Sequence, residues 1–346
     1  MYKLKVCLIF GGASFEHEVS ILSAYNVAKN LDRNKYELII IRITKNGRWI
    51  YCGDNPKEIL NKNWEAKEKS EAIISPSTSN SGIIKLNGNS FKEIKIDVVF
   101  PIMHGNKGED GTIQGLFELR NIPYVGSGVI GSSVCMDKVI SKIILKNIGI
   151  EQVEWVQIKS KQKIDYDLLE RKIGYSNFVK PANSGSSLGI SKSNTKEELI
   201  SNIKNAFKYD NKILVEKAIQ NPREIECAVI GNESPIVSNS LGEILPCNEF
   251  YDYEAKYEKD SKTIVPIMLN EKISEKIKEN AILAYKECEC KGMARVDFLL
   301  DEEKVYLSEI NTIPGFTDIS MFAKLWKNDG LEMPRLLDKL IEFALK

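Results

Sequence analysis

Apolar and polar positions along this chain fall into blocks that read alternately as strands and helices. Residues 5–10 form a short apolar run that stops at Gly11-Gly12. A helical repeat of apolar positions follows over 19–31, then a second apolar run over 36–43, so residues 1–43 predict a β-α-β unit. Asn46-Gly47, lying before Trp49-Ile50-Tyr51, is a hairpin turn signal. Residues 54–90 are polar and rich in lysine and serine, which predicts a peripheral elaboration. Residues 96–103 predict a buried strand ending at His104-Gly105, and 113–119 a helix. Alternation of this kind up to about residue 126 predicts a first α/β domain with a parallel sheet.

Beyond it, the pattern predicts a helix over 136–146 and strands over 153–158, 177–182, 213–218 and 225–230. A helix over 274–287, a hairpin over 293–312 and a last helix opening at Pro334 complete the order. There is no internal repeat, and three lobes are expected.

Composition narrows the function classes. The 346 residues suit two to three domains, with 43% hydrophobic positions to form their cores. Lys plus Arg and Asp plus Glu both number 48, so no basic excess exists to neutralise a nucleic-acid backbone. A small anionic ligand is still compatible, because one pocket can be basic within a neutral whole. No apolar run approaches the roughly 18 residues of a membrane helix, and no small-residue cleavage site follows the first residues. The 7 cysteines are scattered without a CxxC pair and read as buried free thiols of a reducing, cytoplasmic compartment. Cys288 and Cys290 lie close enough that a redox or metal role stays open.

Candidate chemistry begins with the hairpin. If its strands pair about residue 303, Asp297 faces Glu309 and Arg295 faces Asn311, all four projecting from one side. Two carboxylates and an amide oxygen suit a hard cation such as Mg²⁺, although a solvated, salt-bridged sheet face has the same composition. In FVKPANSGSSLG (178–189) a strand-end lysine precedes a Gly/Ser loop, which would grip phosphate oxygens or serve as a linker. Residues 126–131 match GxGxxG between a short strand and a helix, leaving a dinucleotide fold with Glu151 as ribose partner as another reading. HGNKGEDG (104–111) is a glycine-spaced turn whose acids also suit a helix start, and Glu16-His17-Glu18 offers capping or ligand contact equally. Residues 251–257, YDYEAKY, read as a loop of the kind that covers active sites.

Taken jointly, GGASFEHEVS, HGNKGEDGTIQG, MDK (136–138), FVKPANSGSSLG, EKAI (216–219), YDYEAKY, ARVDF and EINTIPGFTDIS resemble the D-alanine–D-alanine ligase family of the ATP-grasp superfamily. The segments run in family order from residue 11 to 320, essentially the whole chain. The resemblance implies a three-lobed ATP-grasp fold: an N-terminal parallel-sheet α/β domain (1–126), a central lid (127–215) and a C-terminal α+β domain (216–346). It implies ATP-dependent joining of two D-alanines through a D-alanyl phosphate, for peptidoglycan precursor synthesis, with release of ADP and phosphate.

Site roles follow from the same resemblance. Asp297, Glu309 and Asn311 would hold two Mg²⁺ (or Mn²⁺) ions. Lys138, Lys180, Ser186, Ser187 and Lys256 would grip ATP phosphates, Glu216, Lys217 and Ile219 the adenine, and Glu224 the ribose. Glu16, with His104 nearby, would receive the first D-alanine. Arg295 and the Gly315 N–H would stabilise an oxyanion, Ser320 and Met321 would bind the second amino acid, and Ser186 and Tyr257 would tie the 251–257 loop to Glu16. The EAKY form of that loop matches the peptide-forming type rather than the D-lactate-using relatives. An extra residue near Asn221-Pro222-Arg223 leaves Glu226 as the other candidate for the ribose. A homodimer is implied too, with no nucleic-acid or membrane partner. D-serine as second substrate, and an NAD-dependent oxidoreductase on Gly126–Gly131, are the competing readings.

Overall fold

The computed structural model describes residues 2–62, 70–78, 82–185, 188–245 and 262–346. Its N-terminal sheet has Leu4–Gly11 at the centre, paired in parallel with Tyr36–Ile43 on one side and Val98–Ile102 on the other. Trp49–Tyr51 adds an antiparallel edge. The expected parallel sheet is therefore present. Its strands are nearly continuous runs of Val, Ile, Leu and Phe because both faces are covered. The chain leaves the central strand first towards one neighbour and later returns on the other side, so the strand order reverses beside Leu4–Gly11. A crevice opens at such a reversal, beyond the carboxyl ends of the strands. Gly11, with φ +91°, makes the exit there; a Cβ would meet the Ile43 carbonyl oxygen at 2.2 Å.

The polar stretch after residue 54 is more structured than its composition foretells. It contributes a three-stranded antiparallel sheet, Ala72–Ile74, Gly82–Asn87 and Ser90–Lys95. Ile59, Ile74 and Ile83 are buried, and three well-placed isoleucines suffice to anchor an otherwise polar segment.

The helix expected over 136–146 is two helices, Val129–Met136 and Lys138–Asn147. Asp137 divides them: its backbone is extended, and its carboxylate accepts from the N–H groups of Val139 (3.1 Å) and Ile140 (3.2 Å). An N-cap thus interrupts a stretch whose apolar pattern looks continuous. Two of the GxGxxG glycines pack closely at this junction. Gly126 lies against Gly292, and a Cβ on Gly131 would fall 2.4 Å from the Glu289 carbonyl oxygen.

The middle sheet is antiparallel: Ser191–Ser193, Asn177–Pro181, Lys212–Lys217 and Trp155–Lys159, in that spatial order. One face packs Val179, Ile213 and Val215 against Tyr166–Ile173 and Lys196–Ala206, two helices the sequence pattern did not disclose. The other face carries Phe178, Lys180, Leu214 and Glu216 by strand alternation.

In the C-terminal sheet, Arg223–Gly231 pairs along its full length with residues 292–300 of Gly292–Asp301, and Lys304–Asn311 completes the hairpin. Cys227, Val229, Ala294, Val296 and Phe298 face the Glu271–Glu287 helix. The opposite face changes character along its length. Ala228, Ile230 and Met293 are apolar and pack under Met321–Asn328, another helix that was not expected. Glu226, Arg295 and Asp297 then follow at the same pleat positions, where apolar packing stops and ligand space begins. Among the described residues no helix is long and apolar enough to cross a membrane. The six described cysteines are buried and unbridged, as their apolar neighbours predict, although Cys135 and Cys290 place their sulfurs 3.5 Å apart.

Candidate active site

The reversal in the N-terminal sheet brings together the loops that leave Leu4–Gly11 and its neighbour Val98–Ile102. Glu16, buried at the start of the His17–Asn30 helix, comes from the first, and His104, after Val98–Ile102, from the second. Two glycines let backbone approach the carboxylate. A Cβ on Gly105 would lie 2.8 Å from Glu16 Oε2, and one on Gly185 would lie 2.6 Å from it. Gly185 belongs to the loop after Asn177–Pro181, so the middle lobe reaches down onto the N-terminal one.

His104 has both ring nitrogens engaged, Nδ1 with the Ile313 carbonyl (3.0 Å) and Nε2 with Ser23 Oγ (3.3 Å). A carbonyl partner requires Nδ1 to carry the proton, so Nε2 accepts from the serine hydroxyl. Burial lowers its pKa and favours this neutral ring. His17 is similarly occupied, with Nδ1 2.7 Å from the Gly12 carbonyl.

The hairpin shows the anticipated pairs: Arg295 opposite Asn311 and Asp297 opposite Glu309. They arise by a different route. The turn is tight, Asp301 pairing with Lys304, and that register alone would set Asp297 against Ser308 and turn Glu309 to the opposite face. A bulge between Asp297 and Phe298 absorbs one extra residue and restores Glu309 to the polar side. On this face Arg295 grips Asp297 in a two-pronged pair, Nε to Oδ1 at 2.8 Å and Nη2 to Oδ2 at 2.7 Å. Asn311 Nδ2 donates to Asp297 Oδ2 at 2.9 Å, and Glu226 Oε2 lies 3.2 Å from Arg295 Nε. Burial works against the guanidinium charge, but Asp297 and Glu226 outweigh it and raise its pKa further.

Lys138 bridges lobes: Nζ donates to the Ser184 carbonyl at 2.7 Å and lies 3.7 Å from Glu309 Oε2. Lys180, on the inner face of the middle sheet, pairs with Glu216 at 2.5 Å. Glu216 is shared with Lys142, 2.8 Å away and almost wholly buried. Burial alone would push the Glu216 carboxyl up, yet Lys142 and then Lys180 outweigh that cost and bring it down to about 2. Burial likewise opposes the charge on Lys180, and Glu216, Glu309 and Glu224 together raise its pKa nonetheless. Lys217 is exposed and Ile219 half-buried, at the exit of the same strand.

A cavity of about 650 Å³ lies between the lobes. It is lined by Glu16, His104, Lys138, Arg295, Glu309, Asn311, Gly315, Ser320 and Met321 from the sequence reading. Asp297, Lys180, Glu216, Lys217, Ile219 and Glu224 lie outside that lining. Gly315 is held close to Ser320; a Cβ there would lie 2.7 Å from Ser320 Oγ, which is bonded to Thr317. Ser186, Ser187, Lys256 and Tyr257, with the proposed cover loop, lie outside the described residues.

Glu226, named from the sequence only as the other ribose candidate, lines the cavity beside Arg295. Two further residues of the site had no role assigned from the sequence. Lys142 had no local signal, since its partner Glu216 is distant in the chain. Glu109 lines the cavity and accepts from the N–H of Gly105 (2.7 Å) and of Ile313 (3.0 Å). Burial, then the nearby Glu16 carboxylate, push its pKa up to about 8 against these two donors. Its signal was present in the HGNKGEDG turn, where it was attributed to helix capping.

Two family models cover most of the chain: "D-ala D-ala ligase N-terminus" matches residues 5–127 and "D-ala D-ala ligase C-terminus" residues 144–342. The chain belongs to the D-alanine–D-alanine ligase family. A D-alanine–D-alanine ligase of Caldicellulosiruptor bescii is 48% identical over 355 aligned positions, covering 100% of this chain and 96% of the relative. Among solved structures, the D-alanine-D-alanine ligase from Coxiella burnetii superposes with a TM-score of 0.89 at 38% identity, covering 100% of this chain and 94% of that one. The VanG D-Ala:D-Ser ligase from Enterococcus faecalis gives 0.87 at 35%, covering 99% and 100%. The solved members of the ligase family carry the ATP-grasp architecture, and the three main sheets described above, with the small peripheral sheet within residues 72–95, are its form in this chain.

Proposed function

We propose that this chain is an ATP-dependent ligase that joins two D-alanines through a D-alanyl phosphate and so supplies a peptidoglycan precursor. The observation that carries the reading is the meeting, in one interlobe cavity, of a buried carboxylate (Glu16), two cations (Lys138 and Arg295) and the polar end of the hairpin (Glu309, Asn311). An amino-acid ammonium needs the first, and a phosphoryl group and an oxyanion need the second. A metal-bound nucleotide needs the third.

A carboxylate is a poor electrophile until one of its oxygens becomes a leaving group. In this reading Glu16 holds the ammonium of the first D-alanine so that its carboxylate points at the γ-phosphoryl of ATP. Lys138 and Lys180 neutralise phosphate oxygens, which is most of what phosphoryl transfer requires of a protein. Asp297, Glu309 and Asn311 would hold two Mg²⁺ or Mn²⁺ ions. Their donors are hard oxygens on one sheet face, and the Asn311 amide, now donating to Asp297, presents oxygen on rotation. Bound there, the ions would screen the phosphate charge. Among the described residues no three His, Cys, Asp or Glu side chains form a cage by themselves, so substrate oxygens would complete the coordination.

The amino group of the second D-alanine then attacks the acyl phosphate. Arg295 and the Gly315 N–H face the oxygen that becomes anionic, a preorganised hole of the usual kind. Ser320 and Met321 form the wall for the second amino acid. Glu216, Lys217, Ile219 and Glu224 border the adenosine end, with Ser186, Ser187 and Lys256 on the phosphates. Ser186 and Tyr257 close the cover that excludes water from the acyl phosphate. Lobes at 1–126, 127–215 and 216–346, a homodimer and a cytoplasmic location belong to the same proposal.

Mass spectrometry of products from ATP, Mg²⁺ and an equal mixture of D-alanine, D-serine and D-lactate tests it. D-alanyl-D-alanine with one phosphate per dipeptide is expected. Phosphate release indifferent to D-alanine overturns the ligase reading. A mixed D-alanyl-D-serine product moves the chain to the D-serine branch, which the likeness to the D-Ala:D-Ser ligase structure keeps in view.

A further inference from the structure

The segment carrying Gly315 is held at both ends by the N-terminal lobe. At Ile313 the N–H donates to Glu109 Oε1 (3.0 Å) and the carbonyl accepts from His104 Nδ1 (3.0 Å). At Phe316 the N–H donates to Ser23 Oγ (3.2 Å) and the carbonyl accepts from Asn26 Nδ2 (2.7 Å). Ser23 also meets His104 Nε2, so the two ends are linked through one hydroxyl. Phe316 is wholly buried and stacks edge-on against Phe100 and Phe322. Four side chains therefore fix a four-residue turn, with Gly315 inside it.

We propose that Glu109 is a positioning residue for the ligation step, holding the 313–316 turn so that the Gly315 N–H points at the developing oxyanion; this rests on the function proposed above. The geometry singles out Glu109 among the four. It uses both carboxylate oxygens as acceptors, one for Ile313 in the C-terminal lobe and one for Gly105 beside Glu16. It thus joins the wall of the first amino acid to the oxyanion donor, across a separation of 204 residues. A glutamine cannot replace it: ionised or protonated, both carboxyl oxygens keep lone pairs for these two N–H groups, whereas an amide NH₂ would face an N–H donor with none. Preorganised donors lose catalytic value with small displacement, so the effect falls on the chemical step rather than on binding.

Glu109→Gln tests this. The expected result is a fall in kcat of about tenfold or more, the scale on which displaced oxyanion donors act. The KM values for ATP and the first D-alanine should stay within about twofold. Phosphate should exceed dipeptide, because acyl phosphate forms and then meets water. Hydrogen exchange should show faster exchange of the Ile313 amide in the variant, a readout independent of turnover. Unchanged kcat with one phosphate per dipeptide, or a raised KM with kcat intact, overturns the proposal. If the variant does not fold, Asn26→Ala, which frees the other end of the turn, must show the same kcat-selective loss; normal turnover there overturns the proposal equally. A wild-type enzyme that makes no dipeptide would instead refute the ligase reading, and the Ile313 amide would still report on the clamp.

Discussion

Asp297 shows how one carboxylate can be tied into the fold and still be available for chemistry. Its partners are Arg295 and Asn311, and Arg295 keeps Glu226 as a second anion. Asp297→Asn should therefore leave the fold intact while removing a metal charge. Turnover is expected to fall by about a hundredfold or more, with the thermal midpoint nearly unmoved. Glu216 is the opposite case, a carboxylate consumed by structure. Lys142→Met would leave it buried with Lys180 alone, and should cost roughly 3–5 kcal/mol in urea unfolding, a loss that Glu216→Gln added to it should largely relieve. Its depressed pKa gives a sign for pH. The folded chain holds Glu216 ionised down to about 2, against the ordinary 4.5, so its stabilisation is complete above 4.5 and lost as pH falls towards 2. Stability of the wild type should drop more steeply through that window than that of Glu216→Gln.

At the scale of elements, two helical glycines call for opposite outcomes. Gly131, in Val129–Met136, lies under backbone of the Glu289 turn, 2.4 Å from where a Cβ would meet the carbonyl oxygen. Backbone cannot step aside as a side chain would, so Gly131→Ala should destabilise by about 1–3 kcal/mol. Gly115, in Thr112–Arg120, has nothing within 4 Å of its Cβ position. Gly115→Ala should stabilise by about 0.4–1 kcal/mol through loss of unfolded-state freedom. Paired denaturation curves check both. The same comparison bears on the GxGxxG match: Gly126 and Gly131, its first and last glycines, lie against backbone of the 289–292 turn, so the motif belongs to a lobe junction and a dinucleotide cradle is not needed to account for it.

For the whole molecule, three sheets close around one cavity, and each alone carries an incomplete site. The loops of the N-terminal sheet bring Glu16 and His104, the loop after the middle sheet's Asn177–Pro181 brings Ser184 and Gly185, and the C-terminal sheet brings Arg295, Glu309 and Asn311. Removing divalent ions with EDTA should abolish dipeptide formation, and Mg²⁺ or Mn²⁺ should restore it; turnover that persists after chelation removes the metal from the mechanism. Sedimentation should return a particle of about twice 39.1 kDa if two chains pair, and one near 39.1 kDa would end the dimer proposal.

Much of the fold was legible because its signals are local. Apolar runs bounded by glycine gave the parallel strands, and the hairpin declared itself through the spacing of Arg295, Asp297, Glu309 and Asn311. The order of short motifs pointed to the family that whole-chain similarity establishes. Asp137, a strong N-cap, could have been read as the break between two helices. The buried Ser20, Ser23 and Asn26, three apart on one helix, were a polar stripe that needed a partner. What tertiary structure alone decided depends on groups far apart in the chain. The bulge that returns Glu309 to the active face answers to packing on both sides of a sheet. Lys142 and Glu216 are unremarkable until burial forces them together. The roles of Glu109 and His104 exist only because a turn 204 residues from Glu109 lies against them. Periodicity reports which face of an element is buried, whereas the partner of a buried charge is set by which elements meet, and that information is spread over the whole chain.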